Sequence, residues 1–368
     1  MNKENNSYKP DWTPENAGKE YTVRVVKGVG QNRSSQNSNI KTNNFAIDDY
    51  VDGVLSNNRT LLAKTITLIE SNSEKHFELA HKVLQKLLPH SGKSIRIGIT
   101  GVPGAGKSTF IEALGMYLIK QGHKVAVLTV DPSSSITHGS ILGDKTRMEK
   151  LSREPNCFIR PSPSGGVLGG VARKSRETII VCEAAGYDVI LIETVGVGQS
   201  EITVRSMVDL FLLIMIAGAG DELQGIKRGV IEIADALLIN KADGENQKKA
   251  EIAKAEFAHA LHYLKPATEG WETPVKTCSA LTGEGIEDVW HMINKYIGLT
   301  KSSQIFEKRR KEQSVEWVHR LIEDELKKEF YNNDNIKAIL PGIKDDLFNG
   351  NILTIEAVKK LLSAFSSK

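Results

Sequence analysis

The octet Gly101-Val102-Pro103-Gly104-Ala105-Gly106-Lys107-Ser108 sets three glycines, a lysine and a hydroxyl at the spacing that cradles a polyphosphate. Glycines let the backbone turn tightly and aim its N–H groups inward. The positive end of the following helix then adds to that nest of donors. Lys107 is set to bridge the outer phosphates, and Ser108 to offer its hydroxyl to a magnesium ion. Such a loop must follow a strand and open a helix. Ile95-Arg96-Ile97-Gly98-Ile99 supplies the strand, and the apolar spacing from Phe110 to Ile119 supplies the helix.

Magnesium prefers near-octahedral oxygen ligation, so carboxylates are expected at strand ends facing the loop. Glu193 ends the apolar run Asp188-Val189-Ile190-Leu191-Ile192, and Thr194-Val195-Gly196 follows it. That spacing lets the Gly196 N–H meet a γ-phosphate. Asp131 ends the run Val125 to Val130 and precedes the turn sequence Pro132-Ser133-Ser134. Asp144 lies in a polar stretch that could close on a nucleotide, and its spacing equally suits a helix cap. The glycine-rich segment from Gly196 through Gln199 to Glu201 is the natural γ-phosphate sensor. No glutamine immediately follows Gly196 to orient water, so slow intrinsic hydrolysis is expected.

Base selection falls to Asn240-Lys241-Ala242-Asp243. Guanine presents an N1–H and an exocyclic amine on one edge. A carboxylate at Asp243 can accept both, whereas adenine would set an acceptor against it. Asn240 can bond the base or tether the phosphate loop, and the Lys241 stem can cover the ring. Downstream, a backbone N–H of Ser279-Ala280-Leu281 could meet the guanine O6. The candidate nucleotide-binding set is therefore Gly101, Val102, Pro103, Gly104, Ala105, Gly106, Lys107, Ser108 and Thr109, with Asn240, Lys241, Asp243, Ser279, Ala280 and Leu281. Together these motifs describe a GTPase that takes GTP, GDP and Mg2+.

These residues need a sheet to hold them. Further apolar runs at Leu210 to Ile216, Ala236 to Ile239 and Val275 to Cys278 alternate with helical spacing. Apolar strands joined by helices predict a doubly wound, mostly parallel α/β domain of the P-loop NTPase type over residues 92–298. Residues 1–45 are polar and read as a mobile tail. Residues 46–91 read as a preface of two or more helices. Residues 299–368 read as a helical C-terminal extension with an apolar stripe through Val315, Val318, Leu321, Ile322 and Leu326, which needs a partner. A break is expected at Pro341-Gly342, before a last helix over about 354–365.

Among 368 residues, 48 basic against 45 acidic side chains give a net charge of +3, no warrant for a nucleic-acid surface. The basic cluster Lys308 to Lys311 reads as a solvated helix face. Cys157, Cys182 and Cys278 lack the paired spacing of a zinc or redox site, and they fit a reducing, cytoplasmic setting. The N-terminus resembles neither a secretory signal nor a transit peptide. The longest apolar run, Leu210 to Ala217, is too short to span a bilayer, so no membrane contact is expected. His123 and His138 are isolated and read as surface residues.

Several stretches carry a narrower resemblance: Thr100 to Thr109, Asp131 to Ser134, Gly139 to Met148, Arg160 to Gly166, Glu193 to Glu201 and Gly220 to Lys227. Over about residues 45–330 the chain resembles the GTPase chaperones of methylmalonyl-CoA mutase, called MeaB in bacteria and MMAA in mitochondria and formerly ArgK. The resemblance implies that Ser108, Asp131, Asp144 and Glu193 hold or orient magnesium and the attacking water. It also makes Gly220 to Lys227 a third switch, in which Asp221, Gln224 and Lys227 couple nucleotide state to the mutase. It further implies a homodimer through C-terminal elements, a cobalamin-dependent acyl-CoA mutase as client, and a cobalamin adenosyltransferase as a further partner. The family gates adenosylcobalamin loading and protects the mutase. Ser135 and Ala217 depart from the proline of many relatives, away from any phosphate or base ligand. Two other readings are a GTP-dependent kinase and a metal-delivery GTPase of the same fold. The first lacks an acceptor site with a general base, and the second lacks a Cys/His cluster.

Overall fold

The computed structural model describes residues 45–71, 73–130, 148–161, 168–194, 200–218 and 228–366. Seven strands form one sheet: β1 (Ile95–Gly101), β2 (Val125–Val130), β3 (Cys157–Arg160), β4 (Val189–Thr194), β5 (Leu210–Ile216), β6 (Ala236–Asn240) and β7 (Val275–Thr277). Their spatial order is β3-β2-β4-β1-β5-β6-β7, and every pairing is parallel. A parallel sheet is buried on both faces, which is why these strands are continuous apolar runs. Alternate residues serve opposite cores. Val125, Val127, Val189 and Leu191 pack with Phe110, Ile111 and Leu114, while Ala126, Leu128, Ile190 and Ile192 pack with Leu62, Ile66 and Val83.

Three helices form the N-terminal preface: α1 (Ile47–Leu55), α2 (Arg59–Glu70) and α3 (Glu74–Leu87). The Asn58 side chain caps α2 by accepting from the Thr60 and Leu61 N–H groups. α4 (Lys107–Lys120) follows the phosphate loop, α5 (Leu168–Ala184) packs with the preface, and a short α6 (Ser200–Arg205) precedes β5. α7 (Gln247–His262) and α8 (Ile286–Ser302) cover the β6–β7 side. The chain ends in α9 (Ile305–Asn332), α10 (Asp334–Phe348) and α11 (Thr354–Ser366).

Four features depart from the sequence reading. β3 is an added edge strand, too short at four residues to declare itself by pattern. The expected break at Pro341-Gly342 is absent, because α10 runs through it. An interior proline forfeits a hydrogen bond and costs about 3 kcal/mol. Offsetting burial comes from Ile336 and Ile343, as α10 packs against both α9 and α11. The cluster Lys308 to Lys311 is not a uniformly solvated face. Arg310 grips Asp209 through Nε and Nη2, both at 2.7 Å, while Arg309 donates to the Asp209 carbonyl at 2.7 Å and to Thr268 Oγ1 at 2.5 Å. His123 is not isolated either, since its Nδ1 lies 2.7 Å from Asp188 Oδ2.

A second carboxylate anchors the start of β1. Buried Glu183 accepts from the Gly92 N–H at 2.7 Å, Ser94 Oγ at 2.6 Å, and Arg96 Nε and Nη2 at 2.8 and 3.0 Å. Burial alone would raise its pKa, but the Arg96 hydrogen bonds and charge, then Ser94 and Gly92, hold it below the usual carboxylate range. A depressed folded pKa contributes stability that is present above the unfolded value and lost as pH falls through the folded one. Urea midpoints are therefore expected to fall as pH drops below about 4.5, near the ordinary glutamate value. Glu183→Gln is expected to flatten that acid limb. It should also cost about 3–5 kcal/mol at neutral pH by leaving Arg96 uncompensated. An unchanged acid limb in the variant would contradict this role.

Candidate functional site

The phosphate loop leaves β1 at Gly101 and enters α4 at Lys107. Its glycines are demanded by geometry. A Cβ on Gly101 would stand 2.1 Å from the Ile214 carbonyl oxygen of neighbouring β5. Gly106 adopts φ +84°, and a Cβ there would meet Asn240 Nδ2 at 2.8 Å. Lys107 Nζ donates to the carbonyls of Gly101 at 2.9 Å and Val102 at 3.3 Å, which holds the ammonium beside the loop. The first N–H groups of a helix have no intrahelical acceptor, so the opening turn of α4 offers Lys107, Ser108 and Thr109 donors to an anion. Val102 and Ala105 are buried supports, whereas Pro103, Gly104 and Thr109 are exposed.

Ser108 and Glu193 converge beside this loop. Ser108 Oγ donates to Glu193 Oε1 at 3.0 Å. The register explains the meeting, since Ile99 of β1 pairs with Glu193 at the end of β4, two residues before Gly101. A hydroxyl and a nearly buried carboxylate at one point form a hard oxygen pair that suits Mg2+. Asp131, directly after the last residue of β2, falls outside the described residues, as do Asp144, Gly196, Gln199, Asp221, Gln224 and Lys227.

The loops that follow β6 and β7 are tied to the Gly101–Ser108 loop through one side chain. Asn240, buried at the end of β6, donates from Nδ2 to the Ala105 carbonyl at 2.8 Å. Its Oδ1 accepts from the Ala280 N–H at 3.0 Å. Of the two roles open to Asn240 from sequence, the structure shows the tether. Lys241 takes φ +59°, a left-handed conformation that turns the chain sharply after the strand. Half-buried Asp243 accepts from Ser279 Oγ at 2.5 Å, and Ser279 Oγ accepts in turn from the Thr282 N–H at 3.2 Å. Sequence reasoning assigned Ser279 a backbone role only, and its hydroxyl contact with Asp243 carries no spacing signal. Leu281 is exposed beside this loop.

Comparison with known proteins identifies the family. The family profile described as "Methylmalonyl Co-A mutase-associated GTPase MeaB" matches residues 62–335. The chain is 49% identical to the Escherichia coli protein "GTPase ArgK" over 277 residues, covering 75% of this chain and 84% of that one. It is 43% identical to the mouse (Mus musculus) protein "Methylmalonic aciduria type A homolog, mitochondrial" over 332 residues, covering 88% and 80% respectively. A solved structure described as "LAO/AO transport system kinase" superposes with a TM-score of 0.71 at 37% identity, covering 86% of this chain and 96% of that one. These matches make the chain a GTPase that belongs to the methylmalonyl-CoA mutase-associated MeaB family.

Proposed function

We propose that this GTPase times the loading of adenosylcobalamin onto a cobalamin-dependent acyl-CoA mutase, methylmalonyl-CoA mutase first, and protects that enzyme during turnover. Membership of the MeaB family supports the client class. The single observation carrying the nucleotide half is the Asn240 tether, which joins the loop for phosphate to the loop for base. In this reading Lys107 and the first-turn N–H groups of α4 neutralise the phosphates, and Asp243 selects guanine. Ser108 and Glu193 hold Mg2+, with Asp131 and Asp144 completing its shell or orienting water. Bound there, Mg2+ would neutralise charge on the phosphate oxygens. Gly196 and Gln199 sense the γ-phosphate, and Asp221, Gln224 and Lys227 carry that state to the mutase.

The exposed stripe Val315, Val318, Ile322 and Leu326 on α9 supports a homodimer through the C-terminal helices. A cobalamin adenosyltransferase is the proposed donor partner, and the cytoplasm the proposed setting. Among the described residues no helix is long and apolar enough to cross a membrane. One rival reading, transfer of the γ-phosphate to an acceptor, is favoured by the name of the solved relative. Labelled GTP separates the two, since free phosphate supports hydrolysis and a labelled acceptor supports a kinase. Co-purification with candidate mutases in the presence of a non-hydrolysable GTP analogue is expected to recover a complex. Failure with all of them would count against the chaperone role.

A further inference from the structure

Two buried threonines stand where the chain leaves the sheet for the phosphate loop on one side and for the 195–199 segment on the other. Thr194 Oγ1 donates to Thr100 Oγ1 at 2.8 Å, and both residues are essentially without solvent exposure. The strand registers give this bond its meaning. β1 and β4 pair from Ile95 with Val189 up to Ile99 with Glu193. Beyond that point β1 continues along β5 as far as Gly101 with Ile214. β4 continues along β2 as far as Val130 with Thr194. The two central strands therefore part company at Ile99 and Glu193, and the hydroxyl pair clasps them one residue past the last ladder pair.

What depends on that fork is the spacing between its two branches. Ser108 follows the branch from Thr100 through the phosphate loop, and Glu193, in the last ladder pair with β1, immediately precedes Thr194 on the other strand. Their oxygens meet at 3.0 Å across the fork. A change of a few tenths of an ångström in its opening would separate a hydroxyl and a carboxylate that must share one small cation, whose ligand distances are strict at about 2.0–2.1 Å. We propose that the Thr194–Thr100 hydroxyl pair is a positioning device for the Mg2+ site, fixing the separation of Ser108 from Glu193. This rests on the reading that those two residues hold the metal.

A merely structural role makes a different forecast. Buried hydroxyls that only satisfy each other can both be replaced by an apolar group of the same shape at little cost, whereas removing one leaves the other unsatisfied. The informative variant is thus the double substitution Thr100→Val with Thr194→Val, which should melt close to the parent protein while lacking the clasp. The readout is the ratio of affinities for a fluorescent GDP in excess Mg2+ and in EDTA. The ratio is expected to fall about tenfold in the double variant, the usual size of effect for groups that orient metal ligands, with affinity in EDTA unchanged. Thr194→Ser keeps the hydroxyl and should keep the ratio, while Thr194→Ala should lose it, so the pair serves if the double variant fails to fold. An unchanged ratio in the valine or alanine variants overturns the proposal, as does an equal loss of affinity with and without Mg2+. Glu193→Gln, measured alongside, separates two failures. If it lowers the ratio and the threonine variants do not, only the clasp is wrong. If it leaves the ratio intact, the metal assignment falls and the clasp with it.

Discussion

Asp243→Asn will remove most of the preference for GTP over ATP, by on the order of 10²-fold or more in a competition assay, while leaving the melting temperature nearly unchanged. The expectation follows from what the two edges demand. A carboxylate accepts from both the N1–H and the exocyclic amine of guanine, and these charge-assisted bonds are about twice as strong as neutral ones. An amide of the same shape must turn one N–H donor toward one of those two donors. The Ser279 hydroxyl at 2.5 Å holds the Asp243 carboxylate in orientation, so the side chain cannot easily escape by rotation. Fold stability is spared because Asp243 lies in a half-exposed loop after β6, outside both apolar cores. Selectivity equal to the parent protein would show that guanine is read elsewhere.

Lys107→Ala will lower GTP hydrolysis by about 10³-fold, the scale of removing a preorganised charge stabiliser from a transition state. Lys107 is the charged side chain of the phosphate loop, and Gly101 and Val102 carbonyls fix its position. Charge that spreads over the γ-phosphoryl oxygens during transfer has no other cation in the loop itself to meet it. The loss should fall more on the turnover rate than on GDP affinity, because GDP lacks the group on which charge develops and keeps the backbone donors of α4. Single-turnover hydrolysis beside equilibrium GDP binding separates the two, and equal losses in both would assign Lys107 to ground-state binding alone.

The central sheet was legible in the sequence because burial on both faces turns a strand into an uninterrupted apolar run. Val125 to Val130 and Leu210 to Ile216 are strands over the full length read for them. β3 was not legible, since Cys157 to Arg160 is short and ends in an arginine that pairs with Glu70. The phosphate loop announced itself because close approach, as at Gly101 against Ile214, leaves glycine no substitute. The network at the other end of the sheet gave no such notice. Arg310 and Asp209 are far apart in sequence, and each looks like an ordinary surface charge until α9 folds back onto the start of β5. The Ser279 hydroxyl contact with Asp243 and the Thr194–Thr100 bond escaped notice for a related reason, as a contact made by a side-chain hydroxyl has no spacing rule. The stripe on α9 was readable as apolar, and Val315, Val318, Ile322 and Leu326 remain more than half or about half exposed in the single chain.

The proposed role is that of a timer whose output is a grip on another enzyme, on a chain that belongs to the MeaB family of GTPases. The most direct test is steady-state GTP hydrolysis by the purified chain, alone and with increasing amounts of methylmalonyl-CoA mutase and of related cobalamin-dependent acyl-CoA mutases. A slow basal rate that rises and saturates with one of them is the predicted result, and a rate that none of them alters would contradict the proposed role.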